Sequence, residues 1–214
     1  MRYGLVIFDN DGVLVDSEPI SNRILAEYLT ELGHETSYED SLRDYMGAAL
    51  HRIHDTVWER SGTRLPPDFD AEFHARVFRA FREVLQPVAG VATVLERLAA
   101  DGVPYCLASS GHHERIRVAL DKTGLRRFFD DDRIFSAEDV GRGKPAPDLF
   151  LHAAASLGVE PSACAVVEDS ALGVQAGVAA GMDVYGFAAM TPASRLSGAR
   201  ACFRDMAELP GLLS

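Results

Sequence analysis

The chain is 214 residues long, 47% hydrophobic and 25% charged, with a formal net charge of −11. That composition is globular, with material for one domain or for one domain carrying a sizeable insertion. The acidic balance argues against nucleic acid and anionic membranes as partners, since both call for a basic patch, and no apolar run approaches the roughly 18 residues that span a bilayer. A small anionic substrate needs only local positive charge and stays open.

The chain enters a strand almost at once, with no basic, apolar and small-residue leader pattern, so the expected location is the cytoplasm. Residues 3–9 are short, apolar and β-branched, and read as a buried strand. Residues 18–86 then show helical pattern only. Ile20, Ile24, Leu25, Tyr28, Leu29 and Leu32 form one stripe, ending at Gly33. Leu50, Ile53, Val57 and Trp58 form a second, ending at Gly62; Phe69, Phe73, Val77, Phe81 and Leu85 form a third. Such stripes need a partner surface, which predicts a small helical bundle inserted after the first strand, with residues 86–90 as the return linker.

From residue 91 onward helices and strands alternate. Helical patterns cover 91–101, 112–123 (closed by Gly124) and 146–157 (closed by Gly158), and Ser170 caps a small-residue helix ending at Gly181. Strands are predicted at 103–108, 164–168, 183–187 and 201–203. Continuous apolar strands between helices imply a parallel sheet covered on both faces. The fold class is therefore α/β, a Rossmann-like parallel core of residues 1–14 and 87–214, with a small α-helical cap domain inserted at 15–86. The three cysteines, Cys106, Cys164 and Cys202, each lie in an apolar run, are odd in number and show no C-x-x-C spacing. They read as buried, inert thiols.

Ligands of open parallel sheets bind beyond the carboxyl ends of the strands. There the chain places Asp9-Asn10-Asp11-Gly12, Ser109-Ser110-Gly111 and Glu168-Asp169-Ser170, and Lys144 follows in the glycine-rich loop Gly141-Arg142-Gly143-Lys144-Pro145. Carboxylates this dense call for a cation, and Asp9, Asp11 and Asp169, all hard oxygen donors, suit Mg²⁺. A helix N-terminus after Ser109 and the charge of Lys144 add a place for a phosphate. With the anions neutralised, Asp9 can attack phosphorus. Asp11 can protonate the leaving oxygen and then deprotonate water. Gly12 turns the backbone sharply and leaves the Asp11 carbonyl to the metal. An EF-hand loop fits poorly, because it would want a glycine two residues beyond Gly12, where Leu14 stands, and a glutamate where Ile20 stands. Taken singly, each group has a plain reading: a solvated turn, a helix cap, a surface lysine, a dipole-compensating acid pair. It is their joint order at strand ends that points to a site.

On these residues the sequence resembles the haloacid dehalogenase superfamily of phosphohydrolases, and within it the β-phosphoglucomutase-like branch with a helical cap. "DNDGVLVDSE", "ASSG", "GKPAPDLF" and "EDSALGVQAGVAAGM" match that family's four motifs in order, and the resemblance covers essentially the whole chain. It implies Asp9 as nucleophile forming an aspartyl-phosphate and Asp11 as general acid/base. It further implies that Ser109 and Lys144 hold the phosphoryl group, that Asp169 is a metal ligand, and that Glu168 is a ligand or lies behind one. Asn10 and Ser110 join the phosphate-binding group, and the cap, closing over the site, offers Glu18, Gly47 and Arg52, with Gly111 and His112 as further candidates. Asp11 sets the chain apart from the dehalogenases, which lack this second aspartate. Where the mutases carry a cap histidine and a cap arginine, this chain has Ser21 and Leu50, which favours water as acceptor. The expectation is thus a Mg²⁺-dependent phosphatase, a monomer acting on a small phosphorylated metabolite such as a sugar phosphate or 6-phosphogluconate. A sugar phosphomutase and a non-catalytic phosphometabolite-binding module are the alternatives. Asp11, beside other anions and desolvated in the closed site, should have a raised pKa.

Overall fold

The computed structural model describes residues 2–46 and 50–214. Six strands form one all-parallel sheet: β1 (Leu5–Phe8), β2 (Tyr105–Ser109), β3 (Ile134–Ser136), β4 (Cys164–Glu168), β5 (Asp183–Phe187) and β6 (Ala201–Phe203). Their order is β3-β2-β1-β4-β5-β6, so the chain crosses to the far side of β1 after β3. All four residues of β1 are buried, which is why it lacks polar alternation. Leu5 and Ile7 point into a cluster with Cys106, Val166, Leu149 and Phe150, and strand alternation sends Val6 and Phe8, equally buried, to the other face.

By its contacts the chain divides into two compact units, Met1–Asp16 with Gln86–Ser214, and Ser17–Leu85. The second unit contains α1 (Glu18–Glu31), α2 (Tyr38–Tyr45), α3 (Leu50–Ser61) and α4 (Phe69–Val84). Tyr28, Phe69 and Phe73 stack through its interior, with centroids 5.1 and 6.2 Å apart. Two readings of this segment need correction. Trp58 is no core residue: it is 50% exposed, with the Arg64 guanidinium 5.2 Å from its ring centre. The stripe on α1 is centred on Leu25, Ala26, Tyr28 and Leu29, leaving Ile20 and Ile24 only partly covered.

The sheet unit carries α5 (Val91–Ala100), α6 (His113–Thr123), α7 (Asp148–Ser156), α8 (Ala171–Ala179) and α9 (Leu209–Leu212). α8 is built from small residues because it rides close to the sheet: a Cβ at Gly177 would come within 2.6 Å of Val184 Cγ2. Among the cysteines, Cys106 and Cys164 are buried, but Cys202 is exposed on the edge strand β6, contrary to the sequence reading. No helix among the described residues is long and apolar enough to cross a membrane.

Candidate active site

Register brings the polar strand ends together. Phe8 lies level with Leu107 on one side and Val167 on the other, so Asp9, Ser109 and Glu168 emerge at one edge of the sheet within a residue of each other. That edge is where the strand order reverses. Asp9 is still held by the sheet, its amide donating to the Val167 carbonyl at 3.0 Å. Beyond it the chain turns tightly, with the Leu14 and Val15 amides donating to the Asn10 carbonyl at 2.9 and 3.0 Å. Gly12 is needed twice over: its φ is +77°, and a Cβ there would lie 2.0 Å from Asp169 Oδ2.

Lys144 is the electrostatic centre. Its ammonium donates to Asp9 Oδ1 at 2.6 Å and to Glu168 Oε2 at 2.7 Å, and its side chain is 5% exposed. The other Glu168 oxygen accepts from the Ser170 amide at 3.0 Å, the Ser170 hydroxyl at 2.8 Å and the Asp169 amide at 3.2 Å. A buried anion is thus fully hydrogen-bonded, as burial of charge requires. Burial and the Glu168 charge push the Asp9 carboxyl above its usual range, with the Lys144 charge opposing. Burial alone would lower the Lys144 value, but Asp9 and Glu168 outweigh it and keep the ammonium protonated.

Asp9, Glu168 and Asp169 offer carboxylate oxygens that all lie within 4.8 Å of one another. An all-oxygen donor set, in a cradle that a Cβ at Gly12 would fill, fits a hard divalent cation such as Mg²⁺. The Asp11 carboxylate is not in this group. It accepts from Arg115 Nη2 at 2.7 Å and, more loosely, from Asn10 Nδ2 at 3.3 Å. The sequence expectation for Asp11, set by anionic neighbours and burial, does not include this guanidinium.

The remaining residues fall as follows. Asn10 is completely buried, and its Oδ1 has no hydrogen-bond partner among the described residues. Ser109 is buried, and its hydroxyl accepts from the Gly111 amide at 3.0 Å; it caps that turn, whereas α6 begins only at His113. Ser110 is exposed. Glu18, at the start of α1, accepts from Asn22 Nδ2 at 3.1 Å, and Arg52 is exposed on α3. Gly47 lies outside the described residues. Sequence reasoning missed Arg115 and Glu138. Glu138 takes the His113 amide at 2.9 Å and pairs with His112 at 3.0 Å, tying the turn after β2 to the segment after β3. For Arg115 a signal existed: a cation in the first turn of a helix opposes the dipole and needs a partner.

The model of the haloacid dehalogenase-like hydrolases matches residues 3–181, and the chain belongs to that family. It is 33% identical over 189 residues to the 6-phosphogluconate phosphatase of Escherichia coli (strain K12), an alignment spanning 88% of this chain and 84% of that protein. A conserved haloacid dehalogenase-like protein from Agrobacterium tumefaciens superposes with a TM-score of 0.91 at 35% identity, over 99% of this chain and 97% of that one. A hydrolase of the family from Deinococcus radiodurans, solved with bound phosphate and sodium, superposes with a TM-score of 0.84 at 32% identity, over 99% of this chain and 95% of that one. The chain is a phosphoric monoester hydrolase of this family.

Proposed function

We propose that the chain hydrolyses a small phosphorylated sugar or sugar acid, in the manner of a 6-phosphogluconate phosphatase, through an aspartyl-phosphate on Asp9. The observation that carries this reading is the convergence of Asp9, Glu168 and Asp169 at one sheet edge, with Lys144 bridging the first two. Kinship with the E. coli phosphatase supports the substrate class. Mg²⁺, held by Asp9, Asp169 and the Asp11 carbonyl with Glu168 beside them, would supply positive charge that lets a phosphate approach these carboxylates.

The protein groups then divide the work. Lys144 fixes the Asp9 carboxylate through Oδ1 and contributes positive charge beside the incoming phosphoryl group. A carboxylate oxygen of Asp9 bonds to phosphorus as the ester oxygen leaves, and Asp11 gives that oxygen its proton. Water then attacks phosphorus while Asp11 takes its proton, releasing inorganic phosphate and restoring Asp9. Ser109 and the turn it caps lie level with Asp9 and supply hydrogen bonds to the phosphoryl oxygens. Glu168 acts on Lys144 and holds it in place.

The test is phosphate release from a panel of sugar phosphates, sugar-acid phosphates and phosphoglycolate, with and without Mg²⁺, by the native chain and by Asp9→Asn. Mg²⁺-dependent release that the substitution abolishes is the expected result. Isomerisation of glucose 1-phosphate in the presence of a bisphosphate primer, outrunning phosphate release, would replace this reading with a mutase.

A further inference from the structure

We propose that Arg115 is a positioning residue that aims the Asp11 carboxylate at the leaving-group oxygen. The inference rests on the phosphatase reading and assigns to α6 a part in it. Arg115 Nη2 donates to Asp11 Oδ1 at 2.7 Å, and both side chains are three-quarters buried, 24% exposed each. A charge-assisted contact in partial burial is short and directional, and so fixes a rotamer as well as a distance.

A further observation makes this contact more than a chance surface pair. Arg115 stands in the first turn of α6, two residues after His113, where a cation meets the positive end of the helix dipole. The position is unfavourable unless an anion answers it, and Asp11 is that anion. The side chain runs beside Gly111, where a Cβ would make ordinary van der Waals contact, 3.5 Å from Arg115 Cδ and 3.8 Å from Nε. Helical side chains lean toward the helix N-terminus, so the arginine runs back past the Gly111 turn toward the end of β1. The same turn is held from the other side by the Ser136 hydroxyl, which donates to the Gly111 carbonyl at 2.7 Å. Asp11 sits on a tight turn whose own backbone bonds orient its main chain but not its carboxylate. Arg115 at 2.7 Å, with the looser Asn10 Nδ2 contact at 3.3 Å, supplies that restraint.

An acid/base group displaced by about 1 Å loses on the order of a hundredfold in rate. Removing the restraint should therefore lower turnover and spare substrate affinity. The experiment uses the full chain with p-nitrophenyl phosphate and 6-phosphogluconate, at saturating Mg²⁺, for the native protein, Arg115→Met, Arg115→Lys, Asp11→Asn and the double variant Asp11→Asn/Arg115→Met. Expected are a fall in kcat of about ten- to a hundredfold for Arg115→Met with KM little changed. Arg115→Lys, which can still offer one N–H to Oδ1, should recover part of it, and Arg115→Met should cost nothing further once Asp11 is gone. Arginine NMR gives a readout independent of turnover: hindered rotation of the Arg115 guanidinium in the native chain, freed in Asp11→Asn. An unmoved kcat, a raised KM at constant kcat, or additive losses in the double variant each overturn the proposal while the phosphatase reading stands. A native chain that releases phosphate from neither ester overturns the phosphatase reading and this proposal with it. Should Arg115→Met fail to fold, the kcat, KM and guanidinium signal of Arg115→Lys decide the question.

Discussion

Burial and the neighbouring Glu168 push the Asp9 carboxyl up to about 8, against 3.8 for an ordinary aspartate, with Lys144 opposing. The folded chain therefore holds this proton more tightly than the unfolded chain. Its contribution to stability is fully present below pH 3.8 and is lost as pH rises through about 8. In metal-free buffer the thermal midpoint should fall between about pH 5 and about pH 9, and more steeply for the native protein than for Asp9→Asn. Added Mg²⁺ should flatten the native curve, because the cation stabilises the ionised carboxylate and displaces the proton. Parallel curves for the two proteins would refute it. The thiols give a second residue-level expectation. Burial pushes Cys106 far up and Cys164 up to about 11, whereas Cys202 is exposed. Thiolate is the reactive form, so Ellman's reagent should titrate one thiol in the native protein and the other two only after unfolding. A Cys202→Ser chain that still reacts when folded would contradict this.

α8 shows at the level of the element how a site can dictate a helix. Alanine normally outranks glycine in a helix by about 1 kcal/mol. At Gly173 the order reverses, because a Cβ would lie 1.9 Å from the Glu168 carboxyl carbon. Gly173→Ala should cost about 1–3 kcal/mol by overpacking and weaken Mg²⁺ binding, since Glu168 must move off Lys144 or Ser170. Gly211→Ala in α9, where a Cβ meets nothing within 4 Å, is the control: it should leave Mg²⁺ binding unchanged and raise stability by up to about 1 kcal/mol. Chemical unfolding and calorimetric Mg²⁺ titration measure the two effects. Most elements were legible because each strand of four or five residues is predominantly apolar, with any polar residue at one end, and each long helix buries a regular stripe. β3 was not, because Ile134–Ser136 has only three residues and follows the acidic run Asp130-Asp131-Asp132. Nor was α2, which buries only Ser41 and Tyr45 and starts on a capping box, Ser37 with Asp40, rather than an apolar period. At the site, Asp9, Asp169, Glu168, Ser109 and Lys144 were legible because their sequence neighbours are strand ends and glycines. The Asp11–Arg115 contact was not, since 104 residues separate its members and only the fold brings them together.

The sheet unit, as a whole, owns every group placed at the phosphate chemistry, from Asp9 to Asp169. The two strands of chain that lead out of it and back are zipped to each other: Val15 bridges Pro87, the Asp16 amide donates to the Gln86 carbonyl and the Val88 amide to the Leu14 carbonyl, both at 2.9 Å. The helical unit thus hangs from a closed stem. Joining Asp16 to Gln86 through a short glycine-serine linker should leave a chain that unfolds cooperatively and still binds Mg²⁺. Loss of either property, by circular dichroism melting or calorimetry, would show that residues 17–85 are needed for the sheet unit itself.

β1 comes first in the chain yet lies in the middle of the sheet, between strands that begin at residues 105 and 164. A nascent polypeptide must therefore carry its central strand unpaired while the helical segment emerges and open on one side until β4 follows, and closing such long-range contacts is slow. The ribosome-bound intermediate is an exposed apolar strand waiting for both neighbours, which makes early synthesis the stage at which this protein most needs a chaperone. Asp9, Lys144 and Glu168 become neighbours only once β4 has emerged, so the site assembles all at once.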